Sequence, residues 1–184
     1  MILEIVKYGD PVLRAKGRPI VEIDDTIRTL AENMLETMSA ANGVGLAAQQ
    51  VGAPVQLTVI DVSDVEDRPS EMFIGGKKVE LSAHMPLVML NPQLELSKER
   101  EAGNEGCLSF PEITAEIVRA ERVEARAQLL DGTMIEFGAT GLLARALQHE
   151  VDHLHGILFI DRMNSATKAG LAGRLKRMQR EARV

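Results

Sequence analysis

Apolar side chains recur at helical spacing in two separate stretches of the chain. The first stretch runs from about residue 25 to 41, and its apolar positions are Ile23, Ile27, Leu30, Ala31, Met34, Leu35 and Met38. The second lies between Thr140 and Gly156, with apolar positions Leu142, Leu143, Ala146, Leu147, Val151 and Leu154. A period of three to four residues predicts two amphipathic helices. Thr140 is a suitable N-cap, and Gly156 can end the second helix in the left-handed conformation.

Other segments show the pattern of strands. Residues 55–62 and 87–90 are rich in apolar and β-branched side chains, which indicates buried or half-buried strands. Residues 122–129 alternate between polar and apolar side chains, as in a strand with one solvated face. Asp131-Gly132 then predicts a tight hairpin leading into a strand over residues 133–137. The expected fold is α+β, with antiparallel strands around the second helix.

Residues 63–86 are polar and lack a clear period. Pro69 and Gly75-Gly76 interrupt the segment, so it is interpreted as a surface insertion rather than a packed element. The chain has 184 residues and 45% hydrophobic content, enough to bury the core of one domain spanning residues 1–184.

Charge is distributed unevenly along the chain. Residues 164–184 carry six cations and one anion, so this segment is +5 while the rest of a chain of net charge −6 is about −11. A basic C-terminal helix facing an anionic partner is one interpretation, and a solvated helix face is the other. No apolar run approaches membrane-spanning length, and the start of the chain lacks the pattern of a secretory signal. These features predict a cytoplasmic protein.

The run Gln148-His149-Glu150-Val151-Asp152-His153 carries the strongest chemical signal. Residues four apart lie on one face of a helix, so His149 and His153 can bind one ion. Glu150 lies beside them and can accept a proton from a water that the metal activates. Since the chain has only four histidines, a catalytic metal site explains this pattern better than a satisfied polar face.

A catalytic metal of this kind needs a third protein ligand and an open position. The metzincin pattern would place a histidine where this chain has Phe159, and a gluzincin would need a downstream glutamate, of which Glu181 is the only example. The better candidate is Cys107, the single cysteine, in Glu105-Gly106-Cys107-Leu108-Ser109. Packing or a nucleophilic role remains the alternative for a lone cysteine.

The segment Gly43-Val44-Gly45-Leu46-Ala47-Ala48-Gln49-Gln50 lacks the Lys-Ser/Thr of a phosphate loop and the preceding strand of a dinucleotide site. Taken alone it suggests a helix end followed by a turn of small residues. Gln50 offers an amide donor that could stabilise negative charge on a carbonyl oxygen.

Together the three segments resemble the peptide deformylase family. The family motifs G-φ-G-φ-A-A-x-Q, E-G-C-φ-S and Q-H-E-φ-D-H match residues 43–50, 105–109 and 148–153, in the family's order. The resemblance covers essentially the whole chain. It implies a hydrolase that removes the formyl group from the N-terminal formyl-methionine of newly synthesised proteins and releases formate.

The resemblance also implies residue roles. The metal ligands would be Cys107, His149 and His153, with water in the fourth position. Glu150 would be the general base and then the proton donor. Gln50 and the backbone N–H of Leu108 would stabilise the oxyanion, while Gly45 would lie close to the formyl group. Glu105 would support the site.

The resemblance further implies Fe²⁺ as the metal in cells, with Zn²⁺, Ni²⁺ or Co²⁺ able to replace it. Expected partners are formylated nascent peptides and, through the basic helix, the ribosome. One departure is Thr114, where some relatives have an arginine that contacts the substrate backbone. A metalloprotease and an inactive binding module remain the alternatives. Phe159 and the cysteine segment argue against the protease, and the presence of every ligand and the base argues against the binding module.

Overall fold

The computed structural model describes residues 1–183, which contain two antiparallel sheets and three α-helices. The helices are α1, Asp25–Ala40; α2, Gly141–Leu154; and α3, Ser165–Glu181. Short 3₁₀ turns occur at Pro11–Arg14, Ala48–Val51, Leu81–His84 and Phe159–Arg162. Val184, the last residue of the predicted basic segment, lies outside the described residues.

The larger sheet has seven strands. These are β1, Gly45–Ala47; β2, Leu57–Ile60; β3, Ser70–Ile74; β4, Lys77–Val79; β5, Leu87–Leu96; β8, Arg122–Gln128; and β9, Met134–Thr140. Their spatial order is β1-β2-β5-β8-β9-β3-β4, and every neighbouring pair is antiparallel. The smaller sheet pairs β6, Arg100–Cys107, with β7, Phe110–Ala120.

The predicted α+β fold is confirmed, because both sheets pack against α2. Twelve of the fourteen residues of α2 are buried, including Gln148, His149 and Glu150. A helix enclosed by apolar side chains on most sides is rigid, so α2 can hold functional groups at fixed positions.

The interpretation of residues 63–86 as an insertion without packed elements is wrong. β3 pairs with β9 and carries Met72, which is fully buried in the core beside α2, and β4 pairs with β3 at the sheet edge. The sequence does not show a strand here, because β3 is only five residues long and its burial depends on pairing with β9, a strand distant in the sequence.

The two predicted helices are present, with one difference in capping. Asp24 caps α1 through its side chain, which accepts a hydrogen bond from the Ile27 amide. Thr140 is at the N-cap of α2, but its side chain makes no capping hydrogen bond. Ser70 serves instead, since its hydroxyl oxygen accepts from the Leu143 amide at 2.8 Å.

The C-terminal helix α3 is attached to the core and also displays its positive charge. Leu175 is buried in a cluster with Phe110 and Phe159, whereas the basic side chains of α3 are exposed. Within residues 1–183, we found no helix with the length and apolar character needed to cross a lipid bilayer.

Candidate metal centre

Two elements bring the predicted metal ligands together. His149 and His153 lie one turn apart on α2 and are 8% and 1% exposed, and Cys107 is the last residue of β6. Their sulfur and nitrogen ligand atoms all lie within 4.8 Å of one another, and Cys107 Sγ is 3.4 Å from His153 Nε2. One thiol and two imidazoles at this spacing suit a borderline-soft divalent metal.

A buried carboxylate fixes the orientation of the first histidine ligand. The Nδ1 atom of His149 lies 2.9 Å from Glu105 Oε1, which leaves Nε2 free to face the shared centre. The centroid of the Phe159 ring is 5.9 Å from that of the His149 imidazole. Phe159, at the metzincin ligand position, therefore lies next to a candidate ligand, while Glu181 is exposed at the end of α3.

Glu105 is held by more than His149. Arg119 donates to both of its carboxylate oxygens at 2.9 Å, and Arg145 donates to Oε2 at 2.8 Å. Burial opposes ionisation, but the hydrogen bonds from Arg119 and His149 outweigh it and hold the pKa of Glu105 well below its usual range. Glu105 is therefore an ionised carboxylate, so it accepts all four of these hydrogen bonds.

The two arginines connect the smaller sheet to α2. Arg119 also donates to Asp152 Oδ2 at 2.7 Å, and Asp152 accepts from Arg162. Arg145 donates to the backbone carbonyls of Ile117 and Glu101 in the smaller sheet. Arg119, Arg145 and Asp152 were not predicted as site residues, because no local sequence pattern shows that these charged side chains meet in the interior.

The histidines have opposite pKa shifts. Burial opposes the charge on His149, but its contacts with Cys107 and Glu105 outweigh burial and raise its pKa. Burial and the neighbouring His149 lower the pKa of His153. Neutral imidazole is the form that binds a metal, and His153 already favours that form.

Glu150 lies against the backbone of β1. A Cβ atom on Gly45 would be 2.6 Å from Glu150 Oε1, so only glycine leaves room for this carboxyl group. Glu150 Oε2 is buried and has no hydrogen-bond partner among the described residues. Burial raises the pKa of Glu150 to about 7. An unpaired buried carboxyl group beside a metal site is a candidate general base.

Gln50 and Leu108 both lie close to Cys107 and line the same cavity. Gln50 Oε1 accepts from the Ala47 amide at 3.0 Å, which directs Nε2 toward Ser109 Oγ at 3.2 Å and Cys107 Sγ at 3.6 Å. Leu108 follows Cys107 in the turn between β6 and β7 and is half-buried. Gln50 therefore points its amide donor at the centre that contains Cys107.

A cavity of about 450 Å³ connects these groups with one another. Its polar lining includes Cys107, His149, Glu150 and Gln50, and its apolar lining includes Val44, Leu108, Phe110, Ile113, Leu142 and Ala146. All seven predicted site residues are thus close to one another, and six of them line the cavity; His153 contacts it through Cys107. The cavity has the size and mixed lining of a small-ligand site.

The fold and this centre define the class of protein as a hydrolase with an H-E-x-x-H helix and a cysteine as the third candidate ligand. Comparison with known proteins identifies the family. The polypeptide deformylase sequence profile matches residues 2–169. A peptide deformylase of Methylacidiphilum infernorum is 46% identical over 180 residues, covering 98% of this chain and 94% of that protein. A peptide deformylase of Opitutus terrae is 44% identical, and the match covers 100% of this chain and 96% of that protein.

Solved structures agree with the sequence comparison. The crystal structure of peptide deformylase from Thermotoga maritima superposes with a TM-score of 0.76 at 38% identity, covering 89% of this chain and 99% of that one. The structure of peptide deformylase 1B from Arabidopsis thaliana, in complex with an inhibitor, superposes with a TM-score of 0.83 at 35% identity. The match covers 97% of this chain and 91% of that one. The chain belongs to the polypeptide deformylase family.

Proposed function

We propose that the chain hydrolyses the formyl group from the N-terminal formyl-methionine of newly synthesised proteins, releasing formate and a free amine. The observation that carries this proposal is the convergence of Cys107, His149 and His153 beside the unpaired carboxyl group of Glu150. Family membership supports the same activity.

Cys107, His149 and His153 would hold one divalent metal ion, which we propose to be Fe²⁺, with Zn²⁺, Ni²⁺ or Co²⁺ able to replace it. When bound, the metal would act as a Lewis acid that lowers the pKa of water and polarises the formyl carbonyl. Glu105 would keep His149 in the tautomer that presents Nε2, because it accepts a hydrogen bond from Nδ1.

Glu150 would move the proton. Its carboxylate accepts a proton from the attacking water and then gives it to the nitrogen of the departing methionine amine. Because Gly45 has no side chain, the backbone of β1 lies against Glu150. This contact would hold the carboxyl group in place and would leave only a narrow space for the formyl carbon. Since a formyl group has only hydrogen beyond its carbonyl, this space would exclude larger acyl groups.

Gln50 Nε2 and the backbone N–H of Leu108 would stabilise the negative charge that develops on the formyl oxygen. The existing hydrogen bond from the Ala47 amide to Gln50 Oε1 supports this role, because it orients the side-chain amide before substrate arrives. Preorganised donors cost no rearrangement during the reaction.

We test the activity with formyl-Met-Ala-Ser and acetyl-Met-Ala-Ser. Formate should be released from the first far faster than acetate from the second, and mass spectrometry should find no cleavage between Met and Ala. Comparable hydrolysis of both peptides, or internal fragments, would support the metalloprotease alternative. The Cys107→Ala and His149→Ala variants should each lose the metal, about one per chain in the wild type, and full metal content in both would contradict the ligand assignment.

The chain would act in the cytoplasm on nascent peptides as one catalytic domain, residues 1–184. We propose that α3 binds the ribosome, an anionic surface, through exposed cations that include Lys176 and Arg180. Leu175 on α3 is buried in the core, so removing α3 would lower stability as well as ribosome binding, and the two effects could not be separated. The sharper variant is Lys176→Glu with Arg180→Glu, which should weaken ribosome co-sedimentation without changing peptide turnover. Lys77→Glu with Lys78→Glu, on β4, is the control with the same charge change.

A further inference from the structure

The substrate cavity runs along one face of α2, away from the metal centre. Leu142, Ala146 and His149 line it at intervals of about one helical turn, and Glu150 lines it beside His149. At 1.5 Å per residue, Leu142 lies about 10 Å along the helix axis from His149. The first turn of α2 therefore marks the end of the cavity opposite the reacting groups.

The segment that precedes β3 is fixed to this first turn. The Pro69 carbonyl accepts from the Leu142 amide, and the Ser70 hydroxyl accepts from the Leu143 amide. The fit is close, because a Cβ atom on Gly141 would lie 2.1 Å from the Pro69 carbonyl oxygen. Arg68, the residue before Pro69, is consequently held at the far end of the cavity and lines it.

The Arg68 side chain spans the end of the cavity. Its guanidinium donates to the backbone carbonyl of Asn104 at 2.9 Å, and the Arg68 residue is half-buried. Asn104 lies on β6, three residues before Cys107, so it is again about 10 Å from the metal centre at strand spacing. Arg68 thus joins the segment fixed to α2 with the smaller sheet, at about the same distance from the metal centre along both walls of the cavity.

We propose that Arg68 closes the pocket that receives the first side chain of the substrate and so limits the length of that side chain. This inference rests on the proposed function. An extended formyl-methionine spans roughly 7–8 Å from the formyl carbon to the terminal methyl group, judged from covalent bond lengths. That length fits within the cavity and ends short of the guanidinium.

A longer apolar side chain would meet two costs at this position. It would have to displace the guanidinium and break its hydrogen bond to Asn104, and it would place apolar atoms against a charged group that water would otherwise solvate. Arg68 is therefore a specificity-determining residue, distant from the reacting bond.

The test compares formyl-norleucyl-Ala-Ser, a near isostere of the methionine peptide, with formyl-2-aminooctanoyl-Ala-Ser, whose first side chain is two methylenes longer. In the wild type, kcat/KM should be much lower for the longer peptide. Arg68→Ala should raise the kcat/KM of the longer peptide relative to that of the shorter one by about tenfold. This is the discrimination typical of one or two methylenes. Arg68→Lys should keep most of the discrimination. Arg126→Ala, which removes an exposed arginine of β8 paired with Glu136, is the matched control and should leave the ratio unchanged.

Three results would overturn the inference. The first is a ratio of kcat/KM between the two peptides that stays at its wild-type value in Arg68→Ala. The second is a fall in activity by the same factor on both peptides, as expected for a purely structural residue. The third is a rise in KM for tripeptides but not for formyl-methionine amide, which would place Arg68 against the peptide beyond its first residue. Wild-type turnover of formyl-Met-Ala-Ser separates these outcomes from failure of the proposed function, because that failure would abolish release of formate altogether.

Discussion

Replacing Glu105 with glutamine tests whether one carboxylate supports both the fold and the metal site. The substitution keeps the shape of the side chain but removes its charge. It leaves the buried guanidiniums of Arg119 and Arg145 without the carboxylate that both of them contact. It also offers an amide NH₂ group where an acceptor is needed, so at least one of the four hydrogen bonds must be lost.

The expected loss of stability is large. Removing one partner of a buried ion pair costs about 3–5 kcal/mol, because the remaining charge is left without compensation. For a chain of this size, each kcal/mol corresponds to roughly 2–4 °C in Tm, so Glu105→Gln should unfold about 6–20 °C below the wild type. Metal affinity should fall about 10–100-fold, since His149 loses the acceptor that fixes its tautomer.

Two assays separate these effects. Urea unfolding of the protein in excess chelator measures stability without metal, and competition with a chromophoric chelator measures metal affinity. Glu124→Gln is the matched control, because Glu124 pairs with Arg122 at 2.9 Å but its side chain is 54% exposed. That pair should contribute less than about 1 kcal/mol. If Glu105→Gln loses no more stability than Glu124→Gln, the buried network is not what holds β7 to α2.

The other predictions concern the reacting groups and one ion pair. Glu150→Ala should keep its metal, measured by elemental analysis, and lose nearly all formate release, and Gln50→Ala should lower kcat by roughly 10²–10³-fold; near-normal rates in either would contradict the assigned roles. Gly45→Ala should keep its metal but lower kcat strongly, because the added methyl group would overlap Glu150; an unchanged rate would show that the two can separate at no cost. Burial would raise the pKa of Asp161, but the hydrogen bond from Arg14 outweighs it and lowers the pKa. The ion pair therefore stabilises the fold above the ordinary carboxyl pKa and loses this effect as the pH falls through the lowered pKa. Asp161→Asn should be less stable than the wild type by up to about 1 kcal/mol at pH 7, a difference that should shrink in urea titrations as the pH falls below the ordinary carboxyl pKa.

The sequence was sufficient to predict what depends on local spacing. His149 and His153 are four residues apart, and this spacing alone places them on one face once α2 forms. The strand over residues 122–129 was likewise predicted from its alternation and is β8. Cys107 was assigned to the same centre from the residue types that a catalytic metal requires, and its sulfur lies 3.4 Å from His153.

What the sequence did not indicate depends on contacts between distant segments. β6 contains two glycines and four polar or charged residues among its eight, so it lacks the alternation of a strand. Only its pairing with β7 makes it one. Arg119 and Arg145 are buried because they share Glu105 with His149, and no single segment contains that information. Arg68 reaches the cavity only because the segment after it caps α2.

These contacts make assembly of the centre part of folding. Cys107 is on the smaller sheet and both histidines are on α2, so the candidate ligands meet only when β6 and β7 pack against the helix. That packing depends on Arg119 and Arg145, which bridge the same two elements. A metal bound between Cys107 and the histidines would form a further bridge across the interface. It would stabilise the folded chain by an amount that rises with the logarithm of the free metal concentration above Kd, about 2.7 kcal/mol at 100 times Kd. The arginine network and the metal therefore hold the same interface, and weakening either should increase the dependence of the fold on the other.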